Sequence, residues 1–171
     1  EKVSFSVKRS AEEDIADTNL ENLTWEHYQE LEPVDSIEVS LLKADGSDTG
    51  YGSGVNWGIR KNGYKRNRNQ AYIPYNAGDQ KTGFFPKKNE DGTYPVFKVV
   101  TQDYDAFYMR QAQENGKALE TPESNAIIGE WIRHKIGVPD GTYITKQMLE
   151  TADGTTVVFK KFEDGIYTLE Y

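Results

Sequence analysis

The stretch Ala106-Phe107-Tyr108-Met109-Arg110-Gln111-Ala112-Gln113-Glu114-Asn115-Gly116-Lys117-Ala118-Leu119 decides the fold of this chain. It starts with aromatic, strand-favouring residues, becomes polar from Arg110, and reaches Asn115-Gly116, a pair suited to a tight turn, before Ala118-Leu119 restore the apolar character. This predicts a strand over 106–112 that turns near Asn115-Gly116 and comes back through 117–119. Similar signals lie on both sides. Ile37, Val39 and Leu41 alternate with Glu38 and Ser40, as a half-buried strand requires, and Asp45-Gly46 ends that run. Residues 71–73 ahead of Pro74, and 96–101, read as two more strands. Residues 155–159 and 166–169 read as a hairpin across Glu163-Asp164-Gly165. Short strands separated by Gly and Asp turns make a mostly β barrel or sandwich.

One helix interrupts the strands. Ile127, Ile128, Trp131, Ile132 and Ile136 share a face, residues 121–125 supply capping candidates, and Gly137 stops the helix ahead of Pro139. Arg133, His134 and Lys135 near its end suit the negative pole of the helix dipole. Residues 145–149 read as a second, shorter helix. At the N-terminal end Val3, Phe5 and Val7 suggest a strand. Leu20, Leu23, Trp25, Tyr28 and Leu31 give a weak helical stripe that Thr24 is placed to cap.

Charge divides the chain of 171 residues unevenly. Its formal net charge is −8, but residues 1–35 hold ten acidic and three basic groups, so they carry −7 and the remainder −1. Residues 1–35 therefore read as an acidic linker and docking segment, the alternative being an ordinary N-terminal helix of one globular unit, and 36–171 as the body. Between Asp48 and Asp79 there is no carboxylate, whereas Arg60, Lys61, Lys65, Arg66 and Arg68 all fall there, among Asn, Gln, Tyr and Trp. Cations supply donors to phosphate, and planar amides can match a base edge. The mixture reads as a nucleic-acid contact arm. Residues 110–117 repeat this chemistry in a hairpin, and a β-ribbon fits the major groove of B-form DNA, about 12 Å wide. The chain also begins without Met, so a fragment or a processed product is expected, and it is read as a piece of something larger.

Catalysis finds little support. His27 and His134 are the only histidines, and neither belongs to a metal-binding or nucleophile-activating motif. The chain lacks cysteine, a G-x-S-x-G elbow and a phosphate loop. The carboxylate pairs Asp103 with Asp105 and Asp14 with Asp17 read as solvated loops, and 45–48 lacks the distal Glu of a calcium loop. Neither a cofactor nor a metal is expected. The chain has no apolar run long enough for a bilayer and no signal peptide.

Six blocks in order carry a family resemblance: residues 53–58 (S-G-V-N-W-G), 68–74 (R-N-Q-A-Y-I-P), Phe84-Phe85-Pro86, 113–118 (Q-E-N-G-K-A), 129–138 (G-E-W-I-R-H-K-I-G-V) and 166–171 (I-Y-T-L-E-Y). Together they resemble the C-terminal DNA-recognition domain of NgoFVII/NgoAVII-type type II restriction endonucleases, from about Ser36 to the end of the chain. The resemblance implies a mainly β fold, an open β-pseudobarrel of the plant B-three type with one or two short helices, as in enzymes similar to BfiI and EcoRII. It further implies two arms that enter the major groove of double-stranded DNA, here an N-arm at 56–70 and a C-arm at 110–117. Family members carry a phospholipase-D-like nuclease with an H-x-K motif in a preceding domain. Here His27 is followed by Gln29 and His134 by Ile136, so that motif is missing and cleavage would belong to a separate nuclease domain of the same parent chain. The expected setting is the bacterial cytoplasm.

Side-chain chemistry then assigns roles. Arg60, Arg66, Arg68 and Arg110 suit guanine edges or phosphates, since a guanidinium can span two acceptors. Asn69, Gln70, Gln111, Gln113 and Asn115 suit adenine or water-mediated readout. Lys61, Lys65 and Lys117 suit phosphates. Glu114 either accepts from cytosine N4 or positions Arg110 or Lys117 through a salt bridge. Trp57 either stacks on a sugar or base or forms core behind the arm, and Asn56 and Tyr64 complete the set. A carbohydrate-binding β-sandwich would account for Tyr51, Tyr64, Tyr72 and Tyr75 but leave the clustered cations unexplained. Single-strand binding through stacked tyrosines is a third option.

Overall fold

The computed structural model describes residues 23–60, 66–103 and 106–171. Its strands are β1 (Asp35–Ser40), β2 (Ile73–Pro74), β3 (Phe97–Val100), β4 (Phe107–Ala112), β5 (Ala118–Glu120), β6 (Thr156–Lys161) and β7 (Tyr167–Glu170). They lie in one sheet ordered β1-β6-β7-β3-β4-β5-β2. Neighbours are antiparallel except β3 and β7, which run parallel through Val99 opposite Tyr167 and Val100 opposite Thr168. The ends of the order, β1 and β2, return to meet each other, so the sheet forms a nearly closed barrel. This is the mainly β pseudobarrel that the resemblance implied.

Alternation builds the wall. Ile37 and Val39 of β1 point inward opposite Phe159 and Val157 of β6, while Ser36 and Glu38 face water. Burying a side chain of this size contributes about 1.5–3 kcal/mol. Phe84-Phe85-Pro86 brings two of the core aromatics: Phe85 stacks on Phe97 at 4.9 Å and meets Phe159 edge-on at 5.2 Å. The Tyr167 hydroxyl donates to the Phe84 carbonyl at 2.6 Å, so its polar end is satisfied inside the barrel.

Among the described residues three α-helices accompany the sheet: α1 (Trp25–Gln29), α2 (Ala126–Ile136) and α3 (Lys146–Thr151). Helix α2 buries Ile127, Ile128, Trp131 and Ile132 and ends on Gly137 at φ 74°, with the Val138 N–H reaching back to the Arg133 carbonyl at 3.1 Å. Its start falls in the expected stretch: Asn125 holds the capping position without a side-chain bond, and Thr121 Oγ accepts from the Ile128 N–H at 3.4 Å. Helix α3 is capped by Thr145, which accepts from the Met148 N–H at 3.2 Å.

Helix α1 is capped by Thr24, as the sequence predicts, and seats Tyr28 against Val100, Phe162 and Ile166. The Tyr28 hydroxyl donates to Asp164 at 2.8 Å, and burial raises its pKa. Leu31 of the predicted stripe is exposed, because the helix stops at Gln29 before the stripe can reach it. Val3, Phe5, Val7, Asp14, Asp17, Leu20 and Asp105 lie outside the described residues. The strand predicted at 71–73 shrinks to Ile73–Pro74. The Ala71 N–H is taken by the Asn125 carbonyl and the Tyr72 N–H by the Gly54 carbonyl, each at 3.0 Å, so neither joins the ladder.

Candidate nucleic-acid interface

The C-arm is a direct extension of the barrel. Phe107, Tyr108 and Met109 are buried, whereas Arg110, Gln111 and Ala112 are half-buried as β4 leaves the core. The register pairs Arg110 with Glu120, Gln111 with Leu119 and Ala112 with Ala118. Arg110 Nε donates to Glu120 Oε2 at 2.9 Å, so the carboxylate that positions this arginine is its cross-strand partner rather than Glu114. Gln111 Nε2 donates to the Gly116 carbonyl at 3.3 Å. Gln113, Glu114, Asn115 and Lys117 are exposed at the tip. The tip turns through positive φ at Gln113 (64°), Asn115 (60°) and Gly116 (63°). With ψ at 172°, Gln113 occupies a region that is essentially reserved for glycine.

The N-arm is stapled at its root. The Gly58 N–H donates to the Gln70 carbonyl at 2.8 Å, and a β-carbon at Gly58 would collide with the Asn67 carbonyl, so only glycine fits there. Half-buried Trp57 meets Tyr72 edge-on at 5.9 Å and carries the Arg66 guanidinium 4.7 Å above its ring. Arg60 is half-buried, with its guanidinium beside Gly52. Gln70 is half-buried and Arg68 is exposed. Lys61, Tyr64 and Lys65 lie outside the described residues.

Two members of the expected set have structural work to do. Asn56 is fully buried. Its Nδ2 donates to the Ile144 carbonyl at 2.8 Å and the Gly50 carbonyl at 3.1 Å, and its Oδ1 accepts from the Ile144 N–H at 2.8 Å. The amide is spent inside the domain, which removes Asn56 from the candidate DNA contacts. Asn69 is also buried, and its Oδ1 accepts from the Gly141 N–H at 2.7 Å. Its carbonyl presses on Gly129 of α2, where a β-carbon would overlap it.

Behind this leg lies Arg133, expected at the helix end facing the dipole but found fully buried. Nε donates to the Thr142 carbonyl at 3.0 Å and Nη1 to the Gly129 carbonyl at 3.2 Å, while Nη2 finds no hydrogen-bond partner among the described residues. Burial pulls its pKa down to about 10, against the attraction of Asp140 and with the help of Arg68. His134 stays exposed, 3.9 Å from Asp103.

Beside the C-arm lies a cleft of about 260 Å³. Gln113 and Lys117 of the C-arm line it together with Ser53, Gly54 and Tyr72, which flank the N-arm in the chain, and with Lys43 and Asn76. Sequence reading brought Gln113 and Lys117 forward but missed Lys43, Ser53 and Asn76. Tyr72 it weighed only as a sugar platform. No spacing in the sequence links them, because the barrel joins their segments. Among the described residues no group of three or more His, Cys, Asp and Glu side chains is placed to hold a metal ion, and no described helix is long and apolar enough to cross a membrane.

A barrel closed but for one seam, with a hairpin continuing β4 and β5 beside a cleft, is a B3-like domain of the DNA-binding class. The model of the NgoFVII C-terminal B3-like DNA-binding domain matches residues 29–163, and the chain belongs to that family. That match begins within the segment read as a linker and stops short of β7. No curated protein matches the chain. Family membership sets aside the carbohydrate module, and Tyr75, one of its proposed platforms, is 2% exposed in the core.

Proposed function

We propose that this domain reads a short site on double-stranded DNA through the major groove, using the N-arm and C-arm as two jaws. It would do so on behalf of a nuclease domain of the same parent chain, a type II restriction endonuclease of the bacterial cytoplasm. The observation that supports this reading is the cleft at the hairpin, where Gln113 and Lys117 of the C-arm share the lining with Ser53, Gly54 and Tyr72, the residues that flank the N-arm in the chain. An amide and a cation on one wall suit a base edge and a phosphate side by side. Arg110, Gln111, Gln113, Glu114 and Asn115 are the C-arm candidates for bases, with Lys117 for phosphate. Arg60, Arg66, Arg68 and Gln70 are the N-arm candidates, together with Trp57 and with Lys61, Tyr64 and Lys65.

The test is a selection from randomised duplexes followed by titration of the selected site at several salt concentrations. A recovered consensus, affinity that falls steeply with salt, and preference for duplex over single strand are the expected results. Lys117→Ala should weaken every duplex by a similar factor and make the salt dependence shallower. Binding that is indifferent to salt, or stronger to single strands, would overturn the reading.

A further inference from the structure

The C-arm walls a second cleft. Gln113 and Lys117 line the cleft described above, whereas Gln111 and Asn115 line a separate cleft of about 280 Å³, bounded beyond them by Lys81, Lys87, Lys88 and Tyr94. Its lining residues include three lysines and no carboxylate.

The two walls are tied together. Gln80 Nε2 donates to the Tyr75 carbonyl at 2.9 Å and to the Asn115 carbonyl at 3.3 Å. At the other side Tyr94 leans on the hairpin tip, where a β-carbon at Gly116 would come within 2.9 Å of its hydroxyl. Lys88 Nζ lies 5.4 Å from the centre of the Tyr94 ring, which holds the ammonium close to the hairpin. Lys81 is neutralised by Asp35 at 2.7 Å, but Lys87 and Lys88 keep their charge toward solvent. Glu90 and Asp91 follow in the next turn, and Asp91 is occupied there by the Thr93 N–H and hydroxyl.

A ribbon lying in the major groove has one sugar-phosphate strand on each flank, because the two backbones border a groove only about 12 Å wide. Lys117 lines the first of the two clefts beside the C-arm, and Lys87 and Lys88 line the other. We propose that Lys87 and Lys88 contact phosphates of the opposite strand on the other flank, forming a backbone site outside the two arms. This rests on the two-arm reading of duplex DNA given above. A compact ammonium on a flexible stem suits a phosphate better than a base edge, so the site fixes register without adding sequence preference.

The experiment compares wild type, Lys117→Ala and the double variant Lys87→Ala/Lys88→Ala on the selected duplex and on a scrambled one. The double variant should weaken both by a similar factor and reduce the slope of log affinity against log salt by about 0.9 for each phosphate it no longer neutralises. Uncharged methylphosphonates placed one at a time along the flanking strand should weaken wild type at one or two positions and leave the double variant indifferent there. Wild-type affinity and slope in the double variant, alongside a weakened Lys117→Ala, would overturn this site alone. Absence of duplex binding by wild type would bring down the two-arm reading as well. Both lysines are exposed, and an unchanged thermal midpoint would confirm that the variant is folded.

Discussion

The side-chain oxygen of Asn69 accepts the Gly141 N–H at 2.7 Å, and Arg68 Nε donates to the carbonyl of the same glycine at 3.1 Å. One residue of the turn after α2 thus grips two consecutive residues of the N-arm. Gly129 packs against the same leg from the helix side, where the Asn69 carbonyl leaves no room for a β-carbon. Asn69→Ala should lower stability by about 1–3 kcal/mol, because it leaves a poorly solvated backbone donor without its partner. It should also weaken binding to all duplexes alike, since Arg68 loses its platform. Urea unfolding and titrations on two duplexes check this. Relaxed base preference at unchanged stability would make Asn69 a base reader instead.

Gln113 carries a backbone conformation whose strain costs about 1–3 kcal/mol in a residue with a side chain. Gln113→Gly should raise the thermal midpoint while reducing discrimination between cognate and scrambled duplex. Calorimetry and competition binding report the two effects separately. A lower midpoint would show that the side chain supports the tip.

Arg110 sits in a cross-strand pair that leaves its side chain 44% exposed, so the guanidinium is oriented yet accessible. Arg110→Ala should cost about 1–3 kcal/mol on the cognate site and relax preference at one base pair. Arg110→Lys should recover little, because an ammonium cannot form the two-pronged contact. Equal weakening on every sequence would move Arg110 to the phosphates.

Asp48 Oδ1 accepts the Thr49 N–H at 2.7 Å and the Lys146 N–H at 3.0 Å, and these bonds hold its pKa below the ordinary value of 3.8. Asp35, held chiefly by Lys81, and Asp45 and Asp91, held by Ser47 and Thr93, shift the same way. A carboxylate with a depressed folded pKa contributes stability that is fully present above its unfolded value. That contribution disappears as pH falls through the folded one. The urea midpoint should therefore hold down to about pH 4 and drop below it. Asp48→Asn should flatten that decline, and an unchanged acid limb would contradict the assignment.

Local pattern carried much of the fold. The spacing of Ile127, Ile128, Trp131 and Ile132 before Gly137, and the run from Phe107 to Leu119, are each written within a short span of chain, and both elements form where the pattern puts them. The parallel pairing of β3 with β7 depends on segments far apart in the chain and has no local signature. Polar identity misled at Asn56, whose chemistry matches a base edge. Its partner is Ile144, 88 positions away, and residue type alone does not reveal burial. Arg133 misled in the same way, because a helix-end position looks exposed until the turn at 139–142 folds over it. Lys87-Lys88 was passed over because it breaks no composition trend. Only the packing of Gln80 and Tyr94 brings it to the C-arm.

The three left-handed residues at the hairpin tip bear on retargeting. Their geometry ties the aim of each side chain between 111 and 117 to its neighbours, so swapping one amide for another would also shift where the remaining ones point. A change of target is better pursued by transplanting the whole turn as a cassette onto the unaltered ladder of β4 and β5.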